Sequence, residues 1–198
     1  MRHIKIENLH IIYTEKGESL KDIQQKFKKT PTFPKQEHTN HVCSLDRLDG
    51  SSCDGLITDK RFTPIGVKTA DCIPLVLTDF SKVVVIHAGW RGLASNIVEN
   101  SLKEFKKVEI AFVAPFIKDC CYQVKEDFLG KIPEDMKEFV EKREDSLYYS
   151  LEKALLKKLK PYVNEIITTS RCTKCDGNLF SYRNGDKIER MLTVAWLE

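Results

Sequence analysis

The middle of this chain is a train of short apolar, β-branched runs, and no other feature restricts its fold as much. Gly55–Thr58, Ile65–Lys68, Ile73–Thr78 and Val83–His87 are punctuated by Asp, Gly and Ser, so each reads as a strand bounded by turns. After Gly92 the period changes. Leu93, Ile97, Val98, Leu102 and Phe105 fall on one helical face, and Val108–Val113 returns to strand. The pattern predicts layers of sheet and helix.

The flanks agree with that reading. His3–Tyr13 alternates enough for a strand or a hairpin, and Ser19–Lys29 places Leu20, Ile23 and Phe27 on one face of a short helix. Pro31 and Pro34 then break the chain ahead of a polar segment, Lys35–Val42. Pro133 is placed to open a helix carrying Met136, Phe139 and Val140. Leu147, Leu151, Leu155, Leu156 and Leu159 form the strongest helical stripe, which Pro161 ends. Glu165–Thr169 and Met191–Leu197 predict late strands. No repeat, low-complexity tract or linker divides the 198 residues. The expected fold class is therefore α/β (α+β): one domain over residues 1–198, with mixed β-sheets flanked by helices.

Composition narrows the partners. A net charge of +3 is too small to argue for nucleic acid, and the lysine-rich stretches alternate with apolar positions as solvated helix faces do. No apolar stretch is long enough to cross a bilayer, and the charged N-terminus does not resemble a signal peptide. The expectation is a cytoplasmic monomer or homodimer acting on a small molecule. Seven cysteines, an odd number, argue against a disulfide framework and for reduced thiols.

Five histidines are few enough to be informative. His38 lies in the polar segment after Pro34. His87 ends an apolar strand and is followed by Ala88-Gly89-Trp90-Arg91-Gly92, where glycines admit close backbone approach and Arg91 offers a planar bidentate donor at a helix start. Cys72 sits between them in Lys68-Thr69-Ala70-Asp71-Cys72-Ile73-Pro74, a polar turn between two strands. One thiolate and two imidazoles are a possible zinc set, with the fourth tetrahedral position open as in catalytic sites. Spacing alone favours a plainer arrangement, a buried cysteine beside two hydrogen-bonded histidines.

The motifs Gln36-Glu37-His38, Asp54-Gly55-Leu56-Ile57-Thr58, Thr69 to Pro74 and His87 to Gly92 follow one another in the order and spacing of a known family. Cys121 to Val124, Arg171-Cys172-Thr173 and Phe180 to Arg183 extend the likeness, so that roughly residues 33 to 198 resemble the laccase-domain proteins, also called multicopper polyphenol oxidases or bacterial purine nucleoside phosphorylases. The resemblance implies a cysteine-hydrolase-like fold and zinc held by His38, Cys72 and His87. It also implies phosphorolysis of adenosine, inosine and methylthioadenosine, and deamination of adenosine. Cys72 and His87 then carry the catalysis, with Asp71 the candidate proton carrier by proximity and Glu37 behind it. Arg91, Gln36, Tyr182 and Arg183 are the candidate substrate-binding residues. The chain departs from the family in a shorter N-terminal region, in Val113-Ala114-Pro115, and in Ile188-Glu189-Arg190.

Other readings stand beside this one. Copper is disfavoured, because a multicopper oxidase needs about ten histidines in His-x-His pairs and this chain has five and no such pair. A metal-free Cys72–His87 amide hydrolase editing a peptidoglycan precursor is the main alternative. A zinc-stabilised interaction module without catalysis is the third, and it needs a fourth ligand from Cys43 or Cys53. The Cys172-Thr173-Lys174-Cys175 pair reads as ordinary packing, with no helix after it for redox chemistry and no second pair to complete a zinc ribbon. Cys120 and Cys121 read as structural. Asp54-Gly55 reads as a turn rather than an acid–base group, and Trp90 as core.

Overall fold

The computed structural model describes all 198 residues. In chain order the strands and helices are β1 (Arg2–Ile6), β2 (Leu9–Tyr13), α1 (Leu20–Phe27), β3 (Val42–Ser44), β4 (Gly55–Thr58), β5 (Ile65–Thr69), β6 (Ile73–Thr78), β7 (Val83–Ala88), α2 (Trp90–Ala94), α3 (Ile97–Leu102), β8 (Val108–Val113), β9 (Gln123–Val124), β10 (Val140–Arg143), β11 (Ser146–Tyr149), α4 (Leu151–Leu159), β12 (Val163–Thr168) and β13 (Met191–Leu197). The mixed α/β class read from the apolar runs is the class observed.

A six-stranded mixed sheet, ordered β12-β8-β6-β7-β4-β3, is the spine of the molecule. Its inner strands β6 and β7 are buried at every position, which explains why their sequences are continuously apolar. Side-chain alternation sends Leu75, Leu77, Val84 and Ile86 toward α2, α3 and α4, and sends Val76, Val83 and Val85 toward a second sheet. That second sheet, β1-β2-β13-β5, packs with Leu9, Ile11, Ile65, Val67 and Ala195 against the spine. Helix α1 closes its far side with Ile23 on Ile12, Val194 and Trp196. A small sheet, β10-β11-β9, flanks the helical side. No helix is long and apolar enough to cross a membrane.

Three local expectations give way. The single helix expected after Gly92 is two, because Asn96 turns left-handed at φ 70° between α2 and α3. The leucine stripe starts at Leu151, since Ser150 caps α4 by accepting from the Lys153 amide at 3.3 Å; Leu147 lies in β11. After Pro133 comes a 3₁₀ helix, Glu134–Phe139, with Val140 already in β10.

Candidate metal centre and its cleft

Strand register gathers the site. In the β6–β7 hairpin Pro74 pairs with His87, so Cys72, just before β6, lies beside the residues that follow β7. In the β4–β7 pair Gly55 faces Ile86, so Asp54 meets His87, whose amide donates to the Asp54 carbonyl at 2.7 Å. A one-residue slip in either pair would turn these side chains to opposite faces. Gly89 is required by the crowding that results: a Cβ there would lie 2.8 Å from Cys72 Sγ and 3.4 Å from His38 Cδ2.

Asp54 corrects the sequence reading most sharply. It is fully buried and braces the whole site. One oxygen pairs with His87 Nδ1 at 2.7 Å and also accepts the His38 amide at 3.1 Å. The other accepts the amides of Glu37 at 3.2 Å and Thr39 at 2.5 Å. Three successive amides thus close on one carboxylate, and His38 is held left-handed at φ 60° by that grip. Burial opposes ionisation, but the hydrogen bonds from His87 and Thr39 hold the Asp54 carboxyl down at about 2. The apolar strand after Asp54 was the available signal, because a carboxylate entering a core must find partners.

His38, Cys72 and His87 converge with their ligand atoms all within 4.8 Å of one another. The two imidazole rings stand edge to face, 4.7 Å apart. Burial opposes ionisation of Cys72, yet its hydrogen bonds to His38 and His87 bring the thiol down to about 6. Burial likewise works against charge on His87, but Asp54 and the Cys72 sulfur raise it to about 9. With Nδ1 held by Asp54, His87 has Nε2 for the cluster, the carboxylate–histidine arrangement common behind metal ligands. A thiol with two imidazoles, one so braced, fits zinc in donor type and number. Cys43 and Cys53 do not join them. They pack in the core between the sheets, where burial and the Cys43 thiol push Cys53 up to about 12. The closed-site reading loses its fourth ligand.

The cluster opens onto a cleft of about 680 Å³ lined also by Gln36, Lys68, Asp71, Trp90, Arg91, Tyr122, Tyr182, Arg183 and Arg190. All the residues singled out for catalysis and substrate binding therefore border one space, except Glu37, which bonds Lys35 and Ser52 instead. Two of them are already engaged. Gln36 exchanges both amide bonds with the Lys68 backbone, at 2.9 and 2.8 Å, and so pins the β5 edge. Asp71, left-handed at φ 86°, accepts from Thr173 Oγ1 at 2.6 Å and from the Arg183 amide at 2.9 Å. Its carboxylate holds two loops together at the cleft wall. Arg183 donates to the Gln123 carbonyl at 2.8 Å and lies over the Tyr122 ring, 4.9 Å from its centroid. Trp90 is half-buried, packed against the main core and edge-on to Phe128 at 5.2 Å, with another part of it on the cleft wall. Lys68, Tyr122 and Arg190, which also line the cleft, lie inside quoted segments but are not among the residues singled out for the site.

A strand-built cleft ending in one thiol and two imidazoles places the protein among mixed-sheet α/β proteins with an open, three-donor centre. Residues 16–198 match the family described as multi-copper polyphenol oxidoreductase laccase, and the chain belongs to that family. It is 35% identical over 168 residues to the purine nucleoside phosphorylase of Aquifex aeolicus, covering 81% of this chain and 80% of that one. It is 31% identical over 198 residues to a purine nucleoside phosphorylase of Clostridium acetobutylicum, covering 91% and 82%. A crystal structure of a Neisseria meningitidis protein superposes with a TM-score of 0.84 at 21% identity, covering 98% of this chain and 96% of that one, which establishes the shared fold.

Proposed function

We propose that this protein is a purine nucleoside phosphorylase whose cleft binds a purine nucleoside and phosphate beside zinc held by His38, Cys72 and His87. The observation that carries the reading is the union, in one cleft, of that cluster with four cations, Lys68, Arg91, Arg183 and Arg190, and three aromatic rings, Trp90, Tyr122 and Tyr182. A dianionic co-substrate needs the cations, and a planar purine suits the rings. The relatives named purine nucleoside phosphorylase support the same substrate class.

In phosphorolysis a phosphate oxygen bonds to ribose C1′, the C1′–N9 bond breaks, and its electron pair leaves with the purine, which takes up a proton. Arg91, at the start of α2, and Arg183 would orient the phosphate by charge-assisted hydrogen bonds. Trp90 and Tyr122 would hold the purine face and exclude water from C1′. Asp54 keeps His87 in one tautomer, and Asp71 acts as a positioning residue through Thr173 and Arg183. When held by His38, Cys72 and His87, zinc would supply Lewis-acid polarisation. Loss of the adenine amino group as ammonia, with water as co-substrate, and cleavage of methylthioadenosine are further activities of this reading.

The test measures zinc per chain, phosphate-dependent release of base from inosine, adenosine and methylthioadenosine, and ammonia release from adenosine. Cys72→Ala is expected to hold one zinc fewer than the native protein and to show only background turnover. Native protein that cleaves no nucleoside in the presence of phosphate and zinc would sink the reading.

One observation favours a second reading. Cys72, His87 and Asp54 form a thiol–imidazole–carboxylate chain, with Cys72 at about 6 and His87 at about 9. Such a thiolate can attack an amide carbonyl, with His87 giving the leaving amine its proton and water later cleaving the thioester. Amide turnover that survives complete zinc removal would select this reading over the first.

A further inference from the structure

A second cluster lies outside the machinery just described. Cys120 and Cys121 come from the turn after Ile117, and Cys172 and Cys175 from the loop after β12. The structure overturns the view that no second pair complements Cys172 and Cys175. The four sulfurs lie within 4.8 Å of one another. Cys175 is 3.7 Å from Cys120 and 3.2 Å from Cys121, and Cys120 is 3.7 Å from Cys121. Sulfurs bound tetrahedrally to zinc at ~2.3 Å stand about 3.8 Å apart, so two of these spacings match that edge and the third falls inside it. All four cysteines are free thiols.

The surrounding backbone has the form that thiolates on a metal require. Cys172 Sγ accepts the Lys118 amide at 3.3 Å, and the amides of Lys174 and Cys175 also turn toward it. N–H groups directed at a ligating sulfur spread the charge of a thiolate–metal centre, as hydrogen-bond partners of metal ligands do elsewhere. The two loops are already aligned by a parallel bridge, Phe116 to Cys172, with the Thr173 amide on the Phe116 carbonyl at 3.1 Å.

We propose that Cys120, Cys121, Cys172 and Cys175 bind a structural zinc ion, separate from the His38–Cys72–His87 centre. Four thiolates close the coordination sphere, so this ion does no chemistry and fixes loops. What it fixes is the cleft. Thr173, next to Cys172, holds Asp71 through a buried 2.6 Å hydrogen bond, and Asn184 holds the Lys174 carbonyl at 2.8 Å in the turn that carries Tyr182 and Arg183. Tyr122, next to Cys121, forms part of the cleft wall.

The experiment measures zinc per chain by plasma mass spectrometry on full-length native protein, Cys72→Ala, and the Cys120→Ser/Cys175→Ser double variant, all purified under reducing conditions. Cys72→Ala is expected to keep one zinc, and the double variant to hold one fewer than native. A metal-free Cys72→Ala would overturn the proposal. So would a double variant with undiminished zinc, or a Cys121–Cys175 disulfide found by alkylation and mass in protein kept reduced throughout. Should the double variant not fold, cobalt reconstitution of Cys72→Ala decides: tetrathiolate ligand-field and charge-transfer bands support the site, and their absence overturns it. If native protein and Cys72→Ala hold one zinc each, the four-thiol site stands and zinc at the open centre falls.

Discussion

Five of the seven thiols and two of the five imidazoles gather into two clusters that differ in almost every physical respect. The His38–Cys72–His87 centre is built by register in the central sheet, and a fully buried carboxylate braces two of its members. The four-thiol cluster is built by loops that meet across one parallel bridge, with Cys120 and Cys175 exposed. Around a tetrahedral metal ion three donors would leave one coordination position free, whereas four would leave none. Rigidity is supplied in the first case by covered strands and in the second, on our proposal, by the ion itself. The clusters are nevertheless joined. Asp71 precedes Cys72, Thr173 follows Cys172, and their 2.6 Å hydrogen bond links the two neighbourhoods directly.

That contrast can be broken at several points. The largest effect is expected from Asp54→Asn, which keeps the shape but weakens the grip on His87 and on the amides of Glu37, His38 and Thr39. Loss of such a brace costs on the order of 10- to 100-fold in metal affinity or activity. Zinc titration and steady-state rates should both show it, with the four-thiol cluster untouched. If the open centre kept native affinity, register alone would be holding it. Arg91→Ala should come next, raising the phosphate KM about tenfold, in line with roughly 1.5 kcal/mol for one charge-assisted hydrogen bond. An unchanged phosphate KM would move the anion toward Arg183 and Arg190.

The smallest effect concerns pH, measured on metal-free protein. Cys72 falls from 9.0 to about 6, so its contribution to stability is full above pH 9 and is lost as pH falls through about 6. His87 rises from 6.5 to about 9, so its contribution is full below pH 6.5 and is lost as pH rises through about 9. Between pH 6.5 and 9 the two slopes oppose each other, and denaturant midpoints for native protein should stay nearly level. In Cys72→Ala the histidine acts alone with Asp54. Stability should then decline as pH rises above 6.5, over a narrower span than in a protein where Cys72 also raises His87, by at most ~1.4 kcal/mol per pH unit. A decline already present in the native protein would mean that the thiol and the imidazole do not share their proton.

Much of this was open to a reader of the sequence, and the exceptions share a cause. The strands of the spine announced themselves because buried strands must be apolar along their whole length, and Val108–Val113 and Met191–Leu197 were placed at their observed limits. Boundaries set by one residue's backbone angle or one capping hydrogen bond were less legible, as at Asn96 and Ser150. His38, Cys72 and His87 could be nominated by residue type and motif order. Asp54 was passed over because Asp-Gly is common in turns, and its partners lie far along the chain. Cys120 and Cys121 were separated from Cys172 and Cys175 for the same reason.

The sequence by itself determined the layered α/β class and the apolar strands of the central sheet, because these depend on local composition and period, while His38, Cys72 and His87 were singled out by the order of their motifs. Only the tertiary structure decided which donors meet, that Asp54 grips His87 while Asp71 joins Thr173 to the Arg183 amide, and that two cysteine pairs close on one point. Strand register and loop apposition bring together residues whose distance in space is unrelated to their distance along the chain.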